Sequence, residues 1–126
     1  GGPLIWAKSG VISRGTAAWD YGRDTELIVF GVKGSPALTS PQQLSRVKSF
    51  SVVPAVKLVH PNEKPVKLIE SILSDCSFPG QIILDPFAGS GSHLEACIRT
   101  NRRYVGIERD RRNKERIDER LKGVKK

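Results

Sequence analysis

An α/β fold built on parallel strands is the class this sequence predicts, and three observations predict it. The apolar run Gln81-Ile-Ile-Leu84 ends in Asp85. A glycine-rich loop, Gly89-Ser90-Gly91, follows and opens a helical pattern. A second apolar run, Tyr104-Val-Gly-Ile107, ends in Glu108, 23 residues after the first acid. Strand, glycine turn, helix and strand make the βαβ unit of nucleotide-type sites. Loop glycines let the backbone approach the ligand, and the second acid accepts from ribose hydroxyls.

Three details choose among such ligands. A dinucleotide fingerprint places a third glycine three residues after the second, and Leu94 stands there instead. An acid at the first strand tip repels a pyrophosphate but attracts an ammonium group. No Gly-Lys-Ser/Thr follows the glycines, which excludes a P-loop. The pattern points to S-adenosylmethionine, whose methionine moiety carries that ammonium. The plainer alternative is a buried strand that ends in Asp before a glycine turn and binds nothing.

The remaining elements follow from periodicity and punctuation. Leu4-Ile-Trp6 and Glu26–Gly31 read as strands. Between them, residues 9–25 form a long loop rich in Gly, Ser and Arg. There, either Trp19 and Tyr21 stack on a base with Arg14 and Arg23 on phosphate, or the aromatics pin the loop to the core. Residues 34–59 are linker-like, with Pro36, Pro41 and Pro54. Within them the spacing predicts a short helix over Thr39–Val47, capped by Ser40 with Pro41 at its first position. An amphipathic helix is predicted from Pro65 to Asp75, its apolar face made of Val66, Ile69, Ile72, Leu73 and Cys76. After the strand Gln81–Leu84 comes a helix from Ser92 to Thr100. Ser92 and Glu95 match a capping box there, and Asn101 is its stop. The strand Tyr104–Glu108 and a basic helix over Arg111–Lys122, with Ile117 and Leu121 one turn apart, complete the chain.

Length and composition bound the function classes. At 126 residues there is room for one small domain. No run approaches the ~20 apolar residues of a membrane-spanning helix and no secretory pattern is present, so the expected compartment is the cytoplasm. Cys76 and Cys97 have neither disulfide-scaffold nor metal-ligand spacing and are expected as small core residues, with no metal site. The net charge of +8 is unevenly placed: residues 99–126 carry 12 basic and 5 acidic groups. Such a tail suits a polyanion. Beyond residue 113 the acids interleave with Lys114, Arg116 and Arg120 as solvated helical pairs, whereas Arg102, Arg103 and Arg109 lie near loops, where phosphate contact is more natural.

The stretch from His60 to about Leu121 resembles the C-terminal half of DNA amino-methyltransferases, which modify the exocyclic amines of adenine or cytosine. The resemblance is to the subclass, including restriction-modification enzymes, whose catalytic segment precedes the cofactor segment. It rests on His60-Pro61-Asn62-Glu63-Lys64-Pro65, Asp85-Pro86-Phe87-Ala88-Gly89-Ser90-Gly91, Tyr104-Val105-Gly106-Ile107-Glu108 and Arg116–Leu121. More weakly, Leu4–Lys8 and Asp24–Gly31 resemble the family's late antiparallel strand pair. The resemblance implies a partial Rossmann-like S-adenosylmethionine-dependent methyltransferase fold. Its parts are an antiparallel pair with a long loop over 1–34, a linker over 35–59, and a cofactor-binding α/β segment over 60–126. It also implies cofactor contacts at Lys64, Pro65, Asp85, Phe87, Ala88, Gly89, Gly91 and Glu108. Asp85 would meet the methionine end, Glu108 the ribose hydroxyls, and Lys64 the methionine carboxylate. His60, a lone histidine before a proline, is better explained by structure than by function, and His93 receives no role.

The tetrapeptide Asp/Asn/Ser-Pro-Pro-Tyr/Phe, which in this family grips the target amine of a flipped base, is absent from these 126 residues. No catalytic residue is therefore assigned, and the expectation is a cofactor-binding portion inactive by itself. A parallel sheet without its middle strands exposes apolar surface. The expected partners are accordingly DNA and either the missing N-terminal catalytic half or a second copy of the chain. The competing reading is a non-catalytic DNA-binding or regulatory remnant that uses the basic C-terminal helix.

Overall fold

A computed structural model describes residues 2–10, 22–35, 38–39, 44–58, 60 and 62–125. Strands β1 (Leu4–Ser9), β2 (Thr25–Ile28) and β3 (Val47–Ser51) form one sheet in the order β2-β1-β3. Helix α1 (Val66–Cys76) leads to β4 (Ile82–Asp85), α2 (Ser92–Arg99), β5 (Arg103–Gly106) and α3 (Arg111–Lys122). β4 and β5 pair in parallel, with Ile83 opposite Tyr104 and Asp85 opposite Gly106. The βαβ unit expected from the two acid-tipped runs is therefore present.

β1 and β2 pair antiparallel, as the resemblance implies. The linker-like stretch, however, holds a third strand: β3 runs parallel to β1, followed by a 3-10 turn over Ala55–Lys57. The short helix expected over Thr39–Val47 is absent among its described residues, and Val47 instead begins β3. What holds β3 lies outside its own sequence. The buried Trp6 indole donates to the Phe50 carbonyl at 2.8 Å, and Lys48 pairs with Asp75 of α1 at 2.6 Å.

Helix α1 packs on α2 through Ile69, Leu73, Ala96 and Cys97, with Ile83 of β4 beneath them. Leu68, which the apolar face predicted for α1 did not include, is also buried. Cys97 is fully enclosed, but Cys76 is exposed at the end of α1, so only one of the two cysteines is a core residue. A second cluster joins Ala88, Leu94 and Ile117, with Leu121 against it, and seats α3. α2 ends as Asn101 predicts: its φ of 56° is left-handed, Asn101 N–H bonds the Ile98 carbonyl and Arg102 N–H bonds that of Cys97. The other end of α2 differs from expectation. Gly91, not Ser92, is the N-cap, no side chain caps the helix, and Glu95 is drawn away by two arginines.

The place of Leu94 is explained by its neighbour. A Cβ on Gly106 would lie 2.6 Å from Leu94 Cδ1, so the close approach of helix and strand is made by a glycine on β5. A dinucleotide fold makes the same approach with a glycine on the helix; here the bulk has changed sides.

Only one face of the β4–β5 pair is covered. Ile82, Leu84, Val105 and Ile107 are each about half exposed or more. Parallel strands are ordinarily buried on both faces. In the other sheet, Leu27 and the adjacent Val29 are exposed as well.

Candidate cofactor site

The two acids sit where a βαβ unit presents its ligand, beyond the carboxyl ends of β4 and β5. Asp85 Oδ1 accepts from the Phe87 N–H at 3.0 Å and fixes the turn out of β4. Its Oδ2 is buried and makes no hydrogen bond. A buried carboxylate oxygen without a donor is costly, and an ammonium would relieve it. The first turn of α2 brings His93 Nδ1 to 3.3 Å from that oxygen, with geometry too poor for a hydrogen bond. Partial burial lowers the His93 pKa, Asp85 opposes the shift, and Lys64 adds to it. Lys64 thus acts electrostatically on the same corner of the molecule.

Glu108 is bound to the loop it was expected to serve beside. Its Oε2 accepts from the Gly89 N–H and its Oε1 from the Asp110 N–H, both at 2.8 Å. The Asp110 N–H is the main cause holding this carboxylate below the usual glutamate range; slight desolvation opposes it and the Gly89 N–H reinforces it. The Asn113 side chain and the Arg109 N–H also act on this carboxylate, more weakly, so a ribose diol would share it with these donors.

The other expected cofactor residues divide. Phe87 is exposed, at 87%, at the mouth of the turn. Pro65 is the N-cap residue of α1, directly after Lys64. The Lys64 ammonium is held 2.7 Å from Glu26 Oε2 and 5.6 Å from the Trp6 ring, so an arriving carboxylate would share it with Glu26. Two of the expected residues also have packing roles. The Ala88 side chain belongs to the core with Leu94 and Ile117, and its N–H bonds the Ile107 carbonyl at 2.9 Å. Gly91 is buried at φ 77°, where a Cβ would come within 3.1 Å of Ile117, so packing by itself requires a glycine here. A cavity of about 320 Å³ lies between β5 and α3; among the expected cofactor residues it is lined only by Ala88 and Glu108.

Among the described residues, Arg103 and Arg109 lie at opposite ends of β5. Arg14, Trp19 and Tyr21 lie outside the described residues. Arg23, Arg103 and Arg109 are exposed. Arg102 is turned inward rather than toward solvent. It is buried, donating from Nε to Ser77 Oγ at 3.0 Å and from its terminal nitrogens to the Leu73, Ser77 and Thr100 carbonyls. Those bonds close the C-terminus of α1. Arg120, expected on a solvated face, is instead mostly buried and pairs with Glu63 and Glu95 at 2.6 Å each. His60 acts locally, its Nδ1 accepting from the Asn62 N–H at 3.2 Å.

His93, Glu63 and Arg120 are the residues that sequence reasoning missed. Eight positions separate His93 from Asp85, and a helix turned back on its strand could have signalled that contact. Arg120 gave no signal, because its partners lie 25 and 57 residues away.

Comparison with known proteins agrees with this geometry. The N6_N4_Mtase family model, described as DNA methylase, matches residues 3–119. The Escherichia coli (strain K12) methylase YubD is 49% identical over 49 residues, spanning 39% of this chain and 22% of that protein. The DNA adenine methyltransferase YhdJ of the same strain is 45% identical over 49 residues, 39% of this chain and 17% of its own. The crystal structure of the M1.HpyAVI–SAM complex superposes with a TM-score of 0.76 at 30% identity, covering 94% of this chain and 60% of that one. PvuII DNA methyltransferase (cytosine-N4-specific) superposes at 0.78 and 14% identity over 95% of this chain and 50% of its own, a likeness of fold alone. The chain therefore spans 60% or less of the length of these relatives. With acid-tipped parallel strands, a glycine loop between them and a family match across nearly its whole length, the chain belongs to the N6/N4 DNA methylase family.

Proposed function

We propose that this chain is the S-adenosylmethionine-binding portion of a DNA methyltransferase that modifies an exocyclic amine, adenine in preference to cytosine. The observation that carries the reading is the buried, undonated Oδ2 of Asp85 at the strand tip, beside a glycine loop tied to Glu108. An ammonium fits the first, and a ribose diol fits the second. When bound, S-adenosylmethionine supplies a sulfonium methyl to the amine. Asp85 orients the methionine end, Lys64 neutralises its carboxylate beside the N-terminus of α1, and Glu108 holds the ribose. The adenine preference rests on the 45% identity over 49 residues to a relative named as a DNA adenine methyltransferase.

The Pro-Pro-Tyr/Phe segment that would grip the base is not among these residues, so the chain alone is inactive. The half-open β4–β5 pair supports a second polypeptide segment, the catalytic half, seated against Ile82, Leu84 and Val105. Calorimetric titration of the chain with S-adenosylmethionine tests the site. Binding that falls ten- to a hundredfold in Asp85→Ala is expected, the loss of a charge-assisted hydrogen bond worth about 1.5–3 kcal/mol. Equal affinity in the variant sinks the reading.

A further inference from the structure

Arg120, on the last turn of α3, joins four separate segments. Its Nε donates to Glu95 Oε2 at 2.6 Å, and its Nη1 to Glu63 Oε1 at 2.6 Å and to the Ser90 carbonyl at 3.2 Å. Glu95 lies on α2, Glu63 directly precedes Lys64, and Ser90 stands between Gly89 and Gly91. The Glu63 side chain is 3% exposed, so its charge depends on protein partners. Burial opposes the Arg120 charge, yet the hydrogen bonds it donates to Glu95 and Glu63 hold its pKa above the ordinary value.

The glycine loop is thus held from two sides. Glu108 accepts from the Gly89 N–H, and Arg120 donates to the carbonyl of the next residue. The same guanidinium fixes the residue before Lys64. A planar fork reaches several acceptors at set angles, and lysine, with one compact ammonium, does not reproduce that arrangement.

We infer that Arg120 is a positioning residue of the methyl-donor site, setting the spacing between the Lys64 segment and the glycine loop. The inference rests on the reading that these two segments hold the donor. If Arg120 only stapled the fold, its loss would lower stability everywhere and change donor affinity only as far as molecules unfold.

The test uses the chain with Arg120→Lys, and Lys122→Met as a control that breaks an exposed pair on the same helix. Donor affinity is measured by titration with S-adenosylmethionine well below each melting temperature, and amide hydrogen exchange is followed alongside. Arg120→Lys is expected to remain folded, to lose at least tenfold in affinity, and to lose protection at residues 62–64 and 88–91 together, while α1 and β4 keep theirs. Lys122→Met is expected to match the wild type. Wild-type affinity in Arg120→Lys overturns the inference, and so does a uniform loss of protection. If the wild type takes no S-adenosylmethionine, the donor reading fails, and the exchange pattern alone upholds or overturns the coupling through Arg120.

Discussion

His93 Nδ1 lies 3.3 Å from the buried Oδ2 of Asp85 without bonding to it. Burial holds the ring below the ordinary histidine value of about 6.5, Asp85 pulls it back up, and Lys64 pushes it further down. The ring is therefore neutral at pH 7. As pH falls through its depressed pKa, the imidazolium pairs with Asp85 and competes with the donor's ammonium. The unfolded chain binds that proton more readily, so stability is complete above about 6.5 and declines below it. Affinity for S-adenosylmethionine is expected to fall as pH drops below about 6.5 in the wild type and to stay level in His93→Gln until carboxylates titrate. Identical pH profiles for the two proteins would refute this.

Glu108 holds the loop beside which it is proposed to bind the donor. Glu108→Ala is expected to abolish donor binding and also to speed exchange of the Gly89 amide, from which the carboxylate accepts. Glu108→Gln, with one acceptor oxygen left, is expected to fall between. Asp85→Ala is expected to lose binding while the Gly89 amide stays protected. Two-dimensional NMR of glycine amides reads all three, and a protected Gly89 in Glu108→Ala counts against the account.

The contact between Gly106 and Leu94 has no spare room. A methyl on Gly106 would sit 2.6 Å and 3.0 Å from the two Leu94 Cδ atoms. Gly106→Ala is expected to cost about 1–3 kcal/mol in urea unfolding. Combined with Leu94→Ala, it is expected to cost less than the sum of the single changes. Strict additivity would show that the crowding lies elsewhere.

Acid weakens the fold through paired glutamates. Burial raises the Glu95 pKa, but Arg120 and Arg99 more than reverse the shift; Glu26 is lowered in the same way by Lys64 and Lys8. For carboxyls depressed in the native state, stability is complete above the unfolded value, about 4.3, and is lost as pH falls through the native one. The urea midpoint is expected to be flat near pH 6–7 for these groups and to drop steeply below about 4.3, less steeply in Glu95→Gln. A midpoint independent of pH down to about 3 is the opposing result.

Variants of Arg102 and Arg109 are expected to separate folding from the proposed DNA contact. Arg102→Ala removes charged hydrogen bonds to the end of α1 and is expected to cost about 1.5–3 kcal/mol while leaving DNA affinity per folded molecule unchanged. Arg109→Ala, beyond the carboxyl end of β5, is expected to leave the melting temperature alone and to reduce the salt slope of DNA binding by about one. Fluorescence anisotropy over a salt series distinguishes them.

Much of the cofactor half was legible because its signals are local. The apolar runs with their terminal acids predicted β4 and β5, the spacing of Ile117 and Leu121 predicted α3, and Asn101 ended α2 as read. β3 was hidden because Val47–Ser51 is short and follows a proline-rich stretch that read as linker, and its neighbours are β1 and α1 rather than adjacent sequence. Ser92 and Glu95 satisfied a capping pattern, yet two arginines, one from α3, compete successfully for the Glu95 carboxylate.

By itself the sequence determined the βαβ unit, the order of its acids and glycines, and the family they resemble, since each depends on residues a few positions apart. Only the tertiary structure decided where the charged side chains end: Arg102 inside, Arg120 across four segments, and His93 against Asp85. A long charged side chain takes its partner from whatever carboxylate or carbonyl the fold brings within reach. That neighbour can be 57 residues distant, as Glu63 is from Arg120, where no local pattern records it.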